Sequence, residues 1–315
     1  MFRRLEGESV RLLDLPTDVS RGSSTGADDV YIVSTTERTG VYLTRKGESV
    51  RLEPEILRVP LYATDFGRYH FTPAAGERII FPYAVDGGSS ASMTEKQLKS
   101  RFPRAFEYLK ARRRDLEARR QFVQWFGYSA PRNLPVHDSA HLLVPLLADR
   151  GLFSRFPTGA RHYCLMASGG FSIRIGDGAD VSSNYLLGLL NSKLLFAYLR
   201  STSNVFRGGW ITCTKQYVGP LPIRLIQSSD AAAKGRYDRI VSLVDLMLEL
   251  NKKKHAGSLA PSELDHVERD IASTDAKIDD LVFELYGISD KERRIVEEET
   301  GGRIPDSGRQ PATHC

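Results

Sequence analysis

Residues 184–224 read NYLLGLLNSKLLFAYLRSTSNVFRGGWITCTKQYVGPLPIR. The apolar run predicts a helix over about residues 183–201, carrying Leu190-Asn191-Ser192-Lys193. An Arg207-Gly208-Gly209-Trp210 loop follows, then a short segment stopped by Pro220 and Pro222, since proline ends regular structure. Just upstream, Phe171-Ser172-Ile173-Arg174-Ile175 alternates strictly and reads as a strand, with Gly169-Gly170 and Gly176-Asp177-Gly178 as hairpin turns on either side.

Further towards the N-terminus the pattern is mainly β. Val30-Tyr31-Ile32-Val33 is a β-branched and aromatic strand. Residues 40–44 and 47–52 form a hairpin with its turn near Lys46-Gly47. Residues 79–83 form another strand, closed by Asp86-Gly87-Gly88. Residues 94–125 then read as helical, with Phe102, Phe106, Leu109, Leu116 and Val123 on one stripe and Pro103 near its start. Leu142-Leu143-Val144 and residues 162–167 are further strands. Downstream, Tyr237, Ile240, Val241, Val244, Met247 and Leu248 make one amphipathic helix. A second, capped by Ser262, carries Leu264, Val267, Ile271, Ile278, Leu281 and Leu285. Together they predict an antiparallel helical hairpin. Residues 301–315 are polar, rich in Gly and Pro, and expected to be disordered. The fold class is α/β: a mixed, β-rich body with long helices, then a helical hairpin.

The chain has 315 residues and 41% hydrophobic composition, enough for one substantial core or two modest ones. No apolar run approaches the roughly 20 residues a membrane helix needs. The first residues carry no signal-peptide pattern. Three widely spaced cysteines (Cys164, Cys213, Cys315) suggest neither disulfide framework nor zinc cluster, so the expectation is a cytoplasmic protein without a membrane partner. Net charge is +5, but residues 255–315 carry −7, which leaves +12 on the rest. A basic body with an acidic extension suits a polyanionic partner or ordinary surface variation.

Several segments, in order, resemble the C-terminal target-recognition domain of TaqI-like adenine-specific DNA methyltransferases and type IIG restriction-modification enzymes. They are Gly-x-x-Thr-Gly at 22–26 with its following strand, Pro60-Leu61-Tyr62-Ala63-Thr64-Asp65-Phe66-Gly67-Arg68-Tyr69, and Ile79-Ile80-Phe81-Pro82-Tyr83. The aromatic-and-arginine segment at 109–132, residues 184–195 and 217–223, and Ile278-Asp279-Asp280-Leu281-Val282-Phe283-Glu284-Leu285-Tyr286-Gly287 complete the series. The resemblance covers most of residues 20–290. It implies a leading segment at 1–21, a recognition domain at 22–228, the hairpin at 229–300 and the tail at 301–315. One departure is His141, where the family pattern has a lysine.

The resemblance implies sequence-specific binding of double-stranded DNA, as a bacterial phage-defence function. It does not bring the chemistry with it. Adenine methylation needs an Asp/Asn-Pro-Pro-aromatic loop that holds the flipped base, and the sequence contains no Pro-Pro dipeptide. There is no strand followed by a Gly-rich turn and helix for a methyl-donor cofactor, no P-loop and no paired-carboxylate nuclease motif. The expectation is therefore no catalytic residue and no cofactor in this chain. S-adenosylmethionine would bind a catalytic domain that is missing or is a separate methyltransferase chain. The alternative is a non-catalytic assembly or specificity subunit.

Candidate DNA contacts follow from residue chemistry. Arg207 in its Gly-Gly loop can grip guanine, and Trp210 can pack on sugar or base or else fill the core at a strand start. Lys215 adds a phosphate donor and Gln216 an adenine reader. Arg112, Arg113, Arg119 and Arg120 sit seven apart in pairs on the expected helix, as two phosphate-binding rows or a solvated face held by Glu107, Asp115 and Glu117. Tyr128, Arg132 and Asn133 form a second loop, and the Thr25 hydroxyl either touches DNA or caps its own turn. His137 and His141 are four apart, but no further ligand is suitably spaced and Pro135 disfavours a helix there, so no metal site is expected. The C-terminal hairpin packs within the chain or docks a basic subunit.

Overall fold

The computed structural model describes residues 1–72, 76–86, 89–227 and 229–301. The tail expected at 301–315 therefore lies, apart from Gly301, outside the described residues. Gly87 and Gly88 of the expected turn also lie outside them, although the flanking strands Tyr83–Asp86 and Ser89–Ser92 pair antiparallel. The fold is α/β, with mixed sheets and C-terminal helices.

Two sheets organise the body. The larger runs, in spatial order, Tyr163–Leu165, Leu57–Leu61, Glu77–Ile80, Ile32–Thr35, Val41–Thr44 and Ser49–Arg51. It is antiparallel except where Tyr163–Leu165 lies parallel to Leu57–Leu61. The expected hairpin at 40–52 forms, with Gly47 at φ 81° in its turn. The smaller sheet runs Ser154–Arg155, Leu142–Val144, Phe171–Ile175 and Thr17–Arg21, all antiparallel. Phe171–Ile175 thus pairs with distant segments, and the glycines at its ends are turns between sheets and helices rather than hairpin turns. Leu12 at 0% exposure and Val10–Arg11, paired with Pro222–Ile223, anchor the first residues to the segment that precedes the C-terminal helices.

Other expected elements are shorter than their sequence pattern suggested. Residues 94–125 form three helices, Glu95–Arg101, Pro103–Ala111 and Arg113–Glu117. Phe102, Phe106, Leu109 and Leu116 are buried as the stripe requires, whereas Val123 lies beyond the last turn and is 88% exposed. Residues 28–31 form a helical turn, so that strand begins only at Ile32. Pro82 ends the strand expected at 79–83 after Ile80. The long helix of 183–201 divides at Ser192 into Ser183–Asn191 and Lys193–Thr202. The Ser192 hydroxyl accepts a hydrogen bond from the Leu195 amide and so caps the second helix. Pro135 does not prevent a helix: it sits in the first turn of Leu134–Asp138, where its missing amide costs nothing.

The C-terminal hairpin forms from Ala231–His255 and Pro261–Leu285, followed by Asp290–Gly301. Its second helix starts two residues earlier than expected, with Ala260 rather than Ser262 at the cap and Pro261 in the first turn. Every residue from Asn184 to Asn191 is buried, which is what a helix that is apolar all round requires. It lies under the hairpin. Gly188 is the point of closest approach: a Cβ there would lie 2.8 Å from Ile240 Cγ2 and 3.0 Å from Val244 Cγ2. One continuous core then runs from Leu5 through Leu142 and Leu186 to Ile240, Ile278 and Val296. A second core, with Ile32, Ile79, Phe106 and Tyr128, fills the space between the larger sheet and the three short helices.

Gly188→Leu is expected to force the helix and the hairpin apart. Overpacking of this kind costs about 1–3 kcal/mol or more. Urea denaturation would show an unfolding free energy lowered by that amount and a correspondingly lower midpoint, while a Leu at exposed Gly235, where a Cβ meets nothing within 4 Å, does not lower the midpoint.

Candidate nucleic-acid interface

The recognition loop expected at 207–210 is the tip of a short hairpin-like excursion. Val205 bridges to Ile211, and the Phe206 amide donates to the Trp210 carbonyl at 2.7 Å. Ile211–Thr212 pairs with Leu147–Ala148, fixing the base of the loop on the body. Gly208 and Gly209 have φ of 82° and 81°, a left-handed pair that side chains resist, so the double glycine sets the turn. The Arg207 side chain lies outside the described residues. Trp210 is half-buried against the main core, and the Arg200 guanidinium reaches the Gly209 carbonyl at 3.5 Å. Lys215 and Gln216 are exposed on the short helix Lys215–Val218.

Two residues missed by sequence reasoning stand out on this loop. Val205 and Phe206 are 56% and 52% exposed, large apolar side chains held in solvent beside a glycine pair. Their signal was present in the sequence as a Val-Phe step inside an otherwise polar connection.

The second group of candidates surrounds the opening loop at 22–26. Ser24 and Ala130 exchange backbone hydrogen bonds at 3.0 and 2.9 Å, which seats the 129–133 loop beside it. Arg119 holds this junction: its guanidinium donates to the carbonyls of Leu116 at 2.8 Å and of Thr25, Gly127 and Trp125 at 2.7 Å each. A guanidinium spent on four carbonyls is a brace, which corrects its expected place in a phosphate-binding row. The rows themselves dissolve with the helix break. Arg112 pairs with Glu48 and stacks over Tyr108, and Arg113 pairs with Glu117 at 2.8 Å beside the Trp125 ring. Arg120 remains exposed.

Two more expectations are corrected by burial. Tyr128 is 1% exposed, its hydroxyl donates to the Ile80 carbonyl at 2.7 Å, and its ring meets Tyr31 and Tyr83 edge-on. Burial pushes its phenol well above the ordinary tyrosine value. Thr25 is fully buried, donating to Asp28 and accepting from the Ala27 amide at 3.0 Å, so it caps its own turn. Arg132 and Asn133 are exposed, and Asn133 at φ 45° opens the helix Leu134–Asp138. Among the described residues, solvent-facing candidates whose side chains have no carboxylate or backbone partner therefore include Arg120, Arg132 with Asn133, and Lys215 with Gln216 in the segment 205–216.

His137 lies inward, with Nδ1 2.8 Å from the Ser172 hydroxyl and Nε2 3.1 Å from the Arg21 carbonyl. His141 Nδ1 instead accepts from the Ile175 amide at 3.1 Å, so the two histidines serve different backbone contacts. Among the described residues no group of three His, Cys, Asp or Glu side chains could hold a metal ion. No described helix is long and apolar enough to cross a membrane.

No protein-family model matches the chain. It is similar to the type II restriction enzyme and methyltransferase RM.Eco57I of Escherichia coli, with 22% identity over 301 residues. The chain is a distant relative of a restriction-modification enzyme. The alignment covers 89% of this chain but 29% of the relative, so the chain spans less than a third of that enzyme's length.

Burial drives the His137 imidazole from 6.5 down to about 4. The unfolded chain therefore binds this proton first, and stability contributed by the neutral ring is complete above pH 6.5 and lost as pH falls towards 4. A shift of that size corresponds to about 3 kcal/mol. Urea titrations at pH 7 and pH 4.5 would show a fall that is smaller in His137→Gln; equal falls in both proteins would exclude His137 as the source.

Proposed function

We propose that this chain is the sequence-reading part of an adenine-specific, type IIG-like restriction-modification enzyme, acting on double-stranded DNA in bacterial phage defence. The observation that carries the proposal is its similarity to less than a third of a restriction enzyme and methyltransferase, over a segment without a methyl-transfer motif. Phosphate contacts from Arg120, Arg132 and Lys215 set the register on the duplex. Base edges are read by the 205–216 segment, through Arg207, Gln216 and the half-buried Trp210. Phe206 adds an apolar face that can press on a base or sugar. The S-adenosylmethionine chemistry belongs to a catalytic domain or a separate catalytic chain, which the reader delivers to its site.

The split between a well-packed frame and two exposed loops supports this reading. Arg112, Arg113, Arg119, Tyr128 and Thr25 hold the frame, and the loops present the side chains. Fluorescence anisotropy with a labelled duplex, measured from about 50 to 200 mM salt, tests it, because phosphate contacts release counterions and make affinity fall with salt. Binding should weaken steeply over that range, and Lys215→Ala should lower the logarithmic salt slope by about 1. Absence of salt-dependent association with any duplex would sink the proposal.

A further inference from the structure

A cleft of about 500 Å³ opens where the larger sheet meets the first short helices. Its walls come from 54–58, Phe81, 83–85, Met93, Arg101, Phe102, Arg161 and His162. Three guanidiniums line it. Arg58 lies 3.5 Å over the Phe81 ring and pairs with Asp138, which is 6% exposed. Arg101 stands 5.3 Å from the Phe102 ring centre and is exposed, as are Arg161 and His162. Among the described residues neither Arg101 nor Arg161 has a carboxylate partner, and Glu55 is the one acid in the walls.

The chemistry of the occupant follows from what the cleft exposes. Phe81, Tyr83, Met93 and Phe102 are only 4–7% accessible, so the floor offers little surface for a base or a lipid chain. What remains available is positive charge, with the planar donors of arginine suited to bidentate contact with a phosphate. Rings beneath Arg58 and Arg101 limit their rotamers, so less freedom is lost on binding. The cleft also adjoins the proposed interface. Leu134–Asp138 starts at the exposed Arg132 loop and ends at the partner of Arg58, a span of roughly 7 Å at the rise of an α-helix. It packs against the 160–162 turn that carries Arg161 and His162.

We propose that this cleft is a phosphate-binding site with Arg101 and Arg161 as its ligands, filled by a nucleotide phosphate either of a DNA strand or of a free nucleotide. It extends the recognition reading without depending on it. The test compares wild type, Arg101→Gln/Arg161→Gln and the charge-preserving Arg101→Lys/Arg161→Lys, after far-ultraviolet circular dichroism shows equal folding. Each protein is titrated with a labelled 24-base-pair duplex and, separately, with ATP at 100 mM salt.

If the strand is the source, the Gln pair weakens duplex binding about tenfold and lowers the salt slope by about 2, with partial rescue by the Lys pair. If a free nucleotide is the source, ATP binds the wild type and the Gln pair loses it, whether or not the duplex binds. Duplex binding that is equal in all three proteins, with no ATP binding, overturns the cleft while leaving the reader intact. No binding of either probe to wild type overturns both.

Discussion

Asn191 and Arg68 form the contact on which the rest of the structure depends. The Asn191 side chain accepts from the Phe153 amide at 2.9 Å and donates to its carbonyl at 3.0 Å, standing in for a strand that is not there. Arg68 donates to the carbonyls of Asn191 and Gly151 and pairs with Asp275 of the hairpin. Two residues after Asn191, the Lys193 amide donates to Asp279 at 2.9 Å, and its ammonium lies 3.3 Å from the same carboxylate. Burial raises the Asp279 carboxyl above its ordinary value, and the Lys193 amide with the Lys193 and Arg68 charges opposes that rise. A body loop, the break between two buried helices and the C-terminal hairpin are thereby pinned at one place. Removing any one partner would strand buried polar groups, each costing about 1–3 kcal/mol.

This node brings together segments that lie far apart in sequence. Arg68-Tyr69, Leu190-Asn191-Ser192-Lys193 and Ile278-Asp279-Asp280 are separate in the chain and adjacent in space. They are frame residues. The proposed reading loops carry less of the packing: Val205 and Phe206 face solvent, and Trp210 is only half-buried against the core.

Where a side-chain period alone decides an element, the sequence revealed it. The hairpin of Val41–Thr44 and Ser49–Arg51, the strand Phe171–Ile175 and the two long C-terminal helices follow this rule. Hidden features depended on contacts between distant residues. The division at Ser192 arises because a serine inside an apolar run caps the next helix. Arg119 reads as one of a row of surface arginines, and only the approach of the opening loop turns it inward. Tyr128 reads as part of a loop, yet three aromatic neighbours from the larger sheet and its flanks enclose it. The arginine-lined cleft is likewise a product of tertiary placement. Composition gave only the basic balance of the body from which it draws.

On the proposed function, this chain reads a DNA sequence without modifying it. The most direct measurement is selection from a pool of random duplexes by the immobilised chain alone with S-adenosylmethionine present, followed by sequencing and direct detection of methylated adenine in the retained fraction. The account predicts enrichment of one short motif and no methylated adenine in the bound DNA. Retained DNA with the composition of the starting pool would contradict sequence reading, and methylation by the chain alone would contradict the division between reader and catalyst.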